Sequence, residues 1–495
     1  MNTPSSPRVV SLLLALSIAP VAAAAGSAPT KFFPVSNSAN ICPDTPLRLT
    51  FASAPTLGAS GKIQIFDAAS KAVVDTIDVS SPTATKTIGG LPDYKYYPVI
   101  ITDNEAVIYP RNNILEYNKT YYVTIDPGVF KVGADSYGGV SQPASWRFTT
   151  KREAPAAGTT DLTVDAEGSG DFCSVQGALD FIPDGNTTPT TILIREGTYN
   201  EIIFFTNKHS ITIQGEDRRR TIIAYANNAN FNASGGNPFA GAAPNPSSAA
   251  PRQGGSIYRR GMILAHRVND LTIANITLRN TTPHGGSQAE ALILNGTPEA
   301  HAVLRNVDLY SFQDTLQING QAYINTCYIE GDVDFLWGTG PCFFEDCSIH
   351  SVRSNAYYTQ IRNPPTNHGY GFFHCTFDGA SGVTGNYLSR IAPGRFPASE
   401  VVLIDCVMGA SVAPVGWLLE KNPNAPNDPV APAQIHFWEF HSHSEAGAPV
   451  DTSQRLAGSR QLKQPDDAAL IRDYSNPTFF LGHDWNPKQA AVFNH

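Results

Sequence analysis

Charge is scarce in this chain. Asp, Glu, Lys and Arg make up only 16% of its 495 residues, against the usual quarter of a soluble domain. Such a composition, with 40 Gly and 37 Pro, argues against helical bundles and for short strands cut by turns. The net charge is -9, so the basic footprint of a nucleic-acid binder is missing. The one basic cluster, Arg218–Arg220, reads as a solvated turn. Long apolar runs are missing as well. Beyond the N-terminus no stretch of eighteen apolar residues occurs, so no membrane-spanning helix is expected. None of the seven cysteines has zinc-ligand spacing, and no G-x-S-x-G elbow marks a serine hydrolase. No long amphipathic helices separate the strands, which argues against a Rossmann or barrel fold.

What is present is modular. Residues 1–25, "MNTPSSPRVVSLLLALSIAPVAAAA", carry one Arg, an apolar run and then small residues. This predicts a cleaved signal peptide and a secreted protein, extracellular or periplasmic. Residues 30–150 contain short alternating segments, "PLRLTFAS", "GKIQIFD", "KTYYVTIDPGVFK" and "ASWRFTT". They predict a small immunoglobulin-like β-sandwich. Residues 151–160, "KREAPAAGTT", read as a linker. The rest, 161–495, is expected to fold and act without the module.

In that second part six segments align: "IANITLRN", "LRNVDLYS", "INTCYIEG", "FEDCSIHS", "FFHCTFDG" and "LIDCVMGA". One column holds Ile276, Val307, Cys327, Cys347, Cys375 and Cys406. Two residues on, a second holds Leu278, Leu309, Ile329, Ile349, Phe377 and Met408. Side chains two apart share a strand face, and irregular repeats of this kind suggest an all-β, right-handed parallel β-helix. The cysteines then stack as small apolar residues. A bridge between Cys327 and Cys347 is conceivable, although neighbouring strands about 4.8 Å apart are wide for one.

The same register explains two aspartates. Asp314 follows Val307 by seven residues, and Asp334 follows Cys327 by seven. They therefore occupy one position on consecutive coils. Two carboxylates so placed repel, and one pKa should rise to leave an acid beside a base. Turn-capping aspartates are the plainer reading, but the shared register favours chemistry. Gln313 precedes Asp314, and Gln288 lies one strand earlier. Their amides suit an oxyanion, which points to ester chemistry rather than glycoside hydrolysis.

The segments "GSGDFCSVQGALDFIP", "REGTYNE", "ITIQGED", "QAEALILNG", "FQDTLQINGQAYINTCYIEGDVDFLWG", "NYLSRI" and "FWEFHSHSEAGAPVDTSQR" resemble, in order, the pectin methylesterase (pectinesterase) family of carbohydrate esterases. The resemblance implies a hydrolase that converts methylated pectin to pectate and methanol. It implies Asp334 as nucleophile, Asp314 as acid/base, Gln288 and Gln313 at the oxyanion, and Arg390 orienting the nucleophile. Trp337 and Trp417 are expected to bind substrate. No metal and no organic cofactor is implied, pectin is the expected partner, nucleic acid and membrane are not, and a monomer is expected. The family continues from its arginine with Pro-Trp, where this chain has Ile391 and Ala392. Arg395 is the rival to Arg390. Two alternatives remain open: a related β-helix acyl esterase or thioesterase, and a non-catalytic glycan-binding β-helix. Residues 227–260 read as a low-complexity insertion, either a bare loop or a lip on the cleft.

Overall fold

The computed structural model describes residues 26–233, 259–421, 434–482 and 485–488. The expected signal peptide lies outside them. The N-terminal module is a sandwich of two sheets. One joins Lys31–Phe33, Leu47–Thr50, Glu105–Ile108 and Val99–Thr102. The other joins Ser38–Ile41, Arg147–Thr150, Thr120–Ile125, Lys62–Asp67 and Val73–Asp78. Alternation makes this core: Tyr121, Val123 and Ile125 point inward while their neighbours do not. They meet Trp146, Phe148, Phe51 and Phe130, all buried.

The remainder is a parallel β-helix, all-β as its pattern demands, with short helices at Val175–Phe181, Ala468–Tyr474 and Pro477–Leu481. Parallel pairing puts Ile276 beside Val307 and Leu278 beside Leu309. The second column continues through Ile329, Ile349, Phe377 and Met408. Each coil turns its corner at the residue just before the first column. Asn275, Asn306, Thr326, Asp346, His374 and Asp405 all have φ between 53° and 57°. Asn and Asp tolerate that left-handed conformation better than most side chains. All seven cysteines are buried thiols. Arg218 departs from the solvated-turn reading. Its guanidinium hydrogen-bonds Asp308, Asn306 and the Thr326 carbonyl, tying three coils together, because the adjacent corner leaves those acceptors pointing at it.

The module is not a detached accessory. Its hairpin Ala84–Ile88/Leu91–Tyr96 buries Ile88, Leu91, Tyr94 and Tyr96 in the same core as Leu162, Ile192 and Phe204 of the β-helix. The turn uses Gly89 and Gly90, with φ of 54° and 78°, as a two-residue hairpin with both central residues left-handed requires. A Cβ on Gly89 would meet the Phe204 carbonyl oxygen at 2.0 Å. The hairpin therefore plugs the first coils, so the module and the β-helix share one core. Among the described residues no helix is long and apolar enough to cross a membrane.

Candidate active site

One face of the β-helix is an eight-stranded parallel sheet. It runs through Ile203–Thr206, Ile263–His266, Leu292–Asn295, Leu316–Ile318, Val333–Gly338, Tyr357–Ile361, Tyr387–Ile391 and Trp417–Leu419. Leu292 pairs with Leu316, and Leu316 with Leu336. Two residues before each stand Glu290, Asp314 and Asp334. The sheet thus carries three carboxylates in one column, at strand spacings of about 4.8 Å. The two aspartates emerge from unusual backbone. Asp314 has φ 65° and Asp334 φ 50°. The pairing of Val333–Gly338 with Tyr357–Ile361 slips between Val333 and Leu336. This bulge lets Phe335 turn fully inward and leaves Asp334 on the sheet's outer face. Such left-handed non-glycine positions concentrate at functional sites.

Arginines close both ends of the column. Arg390 grips Asp334 as a fork, Nε to Oδ1 at 2.8 Å and Nη2 to Oδ2 at 2.5 Å. Its Nη1 also reaches Glu420 at 3.1 Å. Arg395, the rival, is exposed and lies against Phe396. At the other end Arg260 donates Nε to both Glu290 oxygens, at 2.9 and 3.0 Å. Its Nη2 bridges Glu290 Oε1 at 2.5 Å and Asp314 Oδ2 at 3.0 Å.

These contacts sort the protons. Burial, then the charge of Glu290, pushes Asp314 well above the usual carboxylate range, with Arg260 opposing and Asp334 adding to the rise. Burial also raises Asp334, but the Arg390 fork opposes it directly. Burial raises Glu290 against its ion pair with Arg260. All three carboxyls are pushed up by burial; Asp314 is raised well above its usual range, while Asp334 and Glu290 each carry a guanidinium on both oxygens that opposes the rise. Unlike partners on neighbouring strands separate the proton affinities of such a set.

Gln288 and Gln313 are half-buried on consecutive coils. The Ala289 N–H donates to the Gln313 carbonyl at 3.1 Å, which places the two glutamines beside the aspartate column. Trp337, 6% exposed, is flanked by the guanidinium groups of Arg362 at 4.9 Å and Arg260 at 5.5 Å. Trp417 does not reach the site. It is 1% exposed and stacks on Phe437 with ring centroids 4.6 Å apart inside the coil. Its expected role in substrate binding is corrected to core packing, because its position on the last strand of the sheet faces inward.

Sequence reasoning missed Glu290, Arg260 and Arg362. Glu290 was legible: it sits two residues before Leu292, as the aspartates do before their leucines. Arg260 was counted in the 227–260 insertion, yet it is anchored. Asn227 donates to the carbonyls of Arg259 and Gly261, and Arg259 reaches the Pro92 carbonyl of the module hairpin. Residues 234–258 of the insertion lie outside the described residues. The one group of metal-ligating side chains found among the described residues, Cys42, Asp44 and Cys173, is at the module junction, not at the dyad.

Residues 161–244 and 248–481 match the pectinesterase family model, and residues 28–150 match a bacterial Ig-like domain. Pectinesterase 31 of Arabidopsis thaliana is 30% identical over 316 residues, covering 63% of this chain and 90% of that protein. Pectinesterase 2 of Olea europaea is 30% identical over 363 residues, covering 70% and 83%. Among solved structures, a pectin methylesterase from carrot superposes with TM-score 0.52 at 21% identity, covering 69% of this chain and 99% of that one. Pectin methylesterase PemA from Erwinia chrysanthemi gives 0.50 at 22%, covering 68% and 99%. These two likenesses show a shared fold.

Proposed function

Because this chain belongs to the pectinesterase family, we propose that it hydrolyses galacturonate methyl esters of pectin through an aspartyl nucleophile, yielding pectate and methanol. The observation that carries this reading is the Arg390 fork on Asp334 with the protonated-side neighbour Asp314 one coil away. The fork opposes the upward push of burial on Asp334, favouring the carboxylate that attacks the ester carbonyl. Attack gives a tetrahedral oxyanion, which the amides of Gln288 and Gln313 receive. As the intermediate collapses, Asp314 gives its proton to the departing methoxy oxygen, and methanol leaves an acyl anhydride on Asp334. Asp314, now a carboxylate, takes a proton from water. The hydroxide attacks the acyl carbon, Asp334 leaves as carboxylate, and Asp314 is again the acid. Trp337 walls this space and keeps Glu290, Arg260 and Arg362 in place.

No cofactor enters this sequence. Export by the segment 1–25, action as a monomer and pectin as sole polymer partner belong to the same proposal. The test is methanol release from methylated pectin by the full chain and by Asp334→Ala, with circular dichroism to confirm folding. Loss of release in the folded variant is expected, by more than the roughly 10²–10⁴ of an acid–base group. Near-normal release would remove the nucleophile assignment. Turnover of an acyl thioester but not of pectin would favour the thioesterase alternative, and pectin binding without any turnover the glycan-binding one.

A further inference from the structure

Two thiols face each other across the junction between the module and the β-helix. Cys42 directly follows the module strand Ser38–Ile41 and is completely buried. Cys173 precedes the helix Val175–Phe181 by two residues and is 2% exposed. Their sulfurs and an Asp44 oxygen all lie within 4.8 Å of one another. The other five cysteines lie within the β-helix, so this is the pair that joins the two domains.

Asp44 explains how the pair meets. Its carboxylate accepts from the Cys173 N–H at 3.0 Å, the Ser174 N–H at 2.8 Å and the Ser174 hydroxyl at 2.6 Å. One module side chain thus holds the β-helix loop that carries Cys173. The same engagement argues against a metal. Asp44 is occupied by three donors, and the group offers three ligand atoms where a structural zinc takes four.

We propose that Cys42 and Cys173 form a disulfide in the exported protein, clasping the module to the catalytic β-helix. Closing the gap to a bond of about 2.05 Å takes at most roughly 1.5 Å of movement from each sulfur. The oxidant is a disulfide of the exporting compartment, of the class of thiol–disulfide oxidoreductases or oxidised glutathione. The Cys42 thiolate attacks one sulfur of that disulfide and expels its partner as a thiol. The Cys173 thiolate then displaces the oxidant's remaining sulfur. Two protons and two electrons leave the pair, and the oxidant ends as two thiols. Cys42 is suited to attack first. The hydrogen bond from Cys173 lowers its pKa against burial and the charge of Asp44, and the charge of Lys151 adds to the lowering. Lys151 is held there by the carbonyls of Gly170 and Asp171. Both thiols are buried once the domains have met, so oxidation belongs to the folding step in which the hairpin seats.

The clasp closes a loop of roughly 130 residues that includes the plugging hairpin. In the chain-entropy view such a loop is worth more than a short one. It keeps the hairpin on the first coils, and with it the Arg259 contact beside Arg260.

The experiment uses the full chain, secreted or refolded in a glutathione redox buffer, denatured with N-ethylmaleimide and digested with trypsin without reductant. The cleavage sites isolate Cys42 in peptide 32–48 and Cys173 in peptide 153–195, each with no other cysteine. The expected result is one species joining these peptides, which dithiothreitol separates, with the other five thiols alkylated. Alkylation of all seven, a bridge at Cys327–Cys347 with Cys42 and Cys173 both alkylated, or stoichiometric zinc released on denaturation would each overturn the proposal. As a second readout, dithiothreitol should lower the melting temperature of the wild type by about 5–10 °C and leave Cys42→Ser/Cys173→Ser unmoved. A wild type indifferent to reductant would mean that no clasp forms, and peptide mapping decides the matter even where the double variant does not fold.

Discussion

Glu290→Gln isolates the charge that distinguishes the two aspartates. Glu290 Oε1 and Asp314 Oδ2 touch the same Arg260 nitrogen, at 2.5 and 3.0 Å, so they stand no more than about 5.5 Å apart. At an effective dielectric constant near 20, two like charges at that distance repel by about 3 kcal/mol, or roughly two pH units. Glutamine keeps the shape and an acceptor for Arg260, whose charge then serves Asp314 alone. The Asp314 pKa should therefore fall, by about one to two units. In the proposed mechanism Asp314 must hold a proton for methanol to leave, so its titration sets the alkaline limb of kcat/KM. That limb should move down by the same amount. The acidic limb reports ionisation of Asp334, whose surroundings are Arg390, Arg362 and Glu420, and should stay near its wild-type position. The assay is initial-rate methanol release across pH for wild type and variant, with thermal melts to confirm folding. The two carboxyls titrate as a pair in the wild type, so the comparison is between limbs and not between assigned groups. An alkaline limb that stays put, or moves upward, in a folded variant would refute the acid role given to Asp314.

Arg390→Lys keeps the charge but not the fork; turnover should drop by about 10²–10³ with KM within a few-fold, read by methanol release at saturating and limiting pectin. A rise in KM alone would make Arg390 a substrate contact instead. Tyr94→Ala removes a fully buried ring of the plugging hairpin and should cost about 3–5 kcal/mol in denaturant unfolding, and removal of residues 26–150 should leave an aggregating β-helix; a soluble, active fragment would show that the first coils need no plug. For Glu400, burial would raise the pKa, but hydrogen bonds from His368 and His436 outweigh it and hold the group down at about 2. A depressed carboxylate stabilises the fold above its unfolded pKa, and that contribution is lost as pH falls through about 4.5 toward 2. The stability gap between wild type and Glu400→Gln should thus shrink by about 3 kcal/mol across that window, and a gap independent of pH would remove this assignment.

Much of the site was legible because a β-helix turns sequence spacing into position. Once Val307 and Cys327 fall in one column, Asp314 and Asp334 must be neighbours. Seven residues after Ile276 stands Pro283, so that count does not reach Glu290; its mark is Leu292 two residues on, as Leu316 and Leu336 follow the aspartates. Trp417 was misread because a motif says which residue follows which, and not which way a ring faces at the end of a sheet. Arg260 was misread because composition described the whole insertion, while its last residues obey the hydrogen bonds of Asn227 and Arg259.

The sequence by itself determined the coil. Alternation and apolar residues in the inward columns are local rules, each satisfied within one turn of chain, and their register puts Asp314 and Asp334 on neighbouring coils. Tertiary structure alone decided three things. It set that Arg260, 54 residues from Asp314, takes that carboxylate together with Glu290. It set that the module's hairpin completes the β-helix core. It brought Cys42 to Cys173. In each case the partners are distant in the chain, and what brings them together is the packing of apolar surface between coils and against the module, which no local spacing encodes.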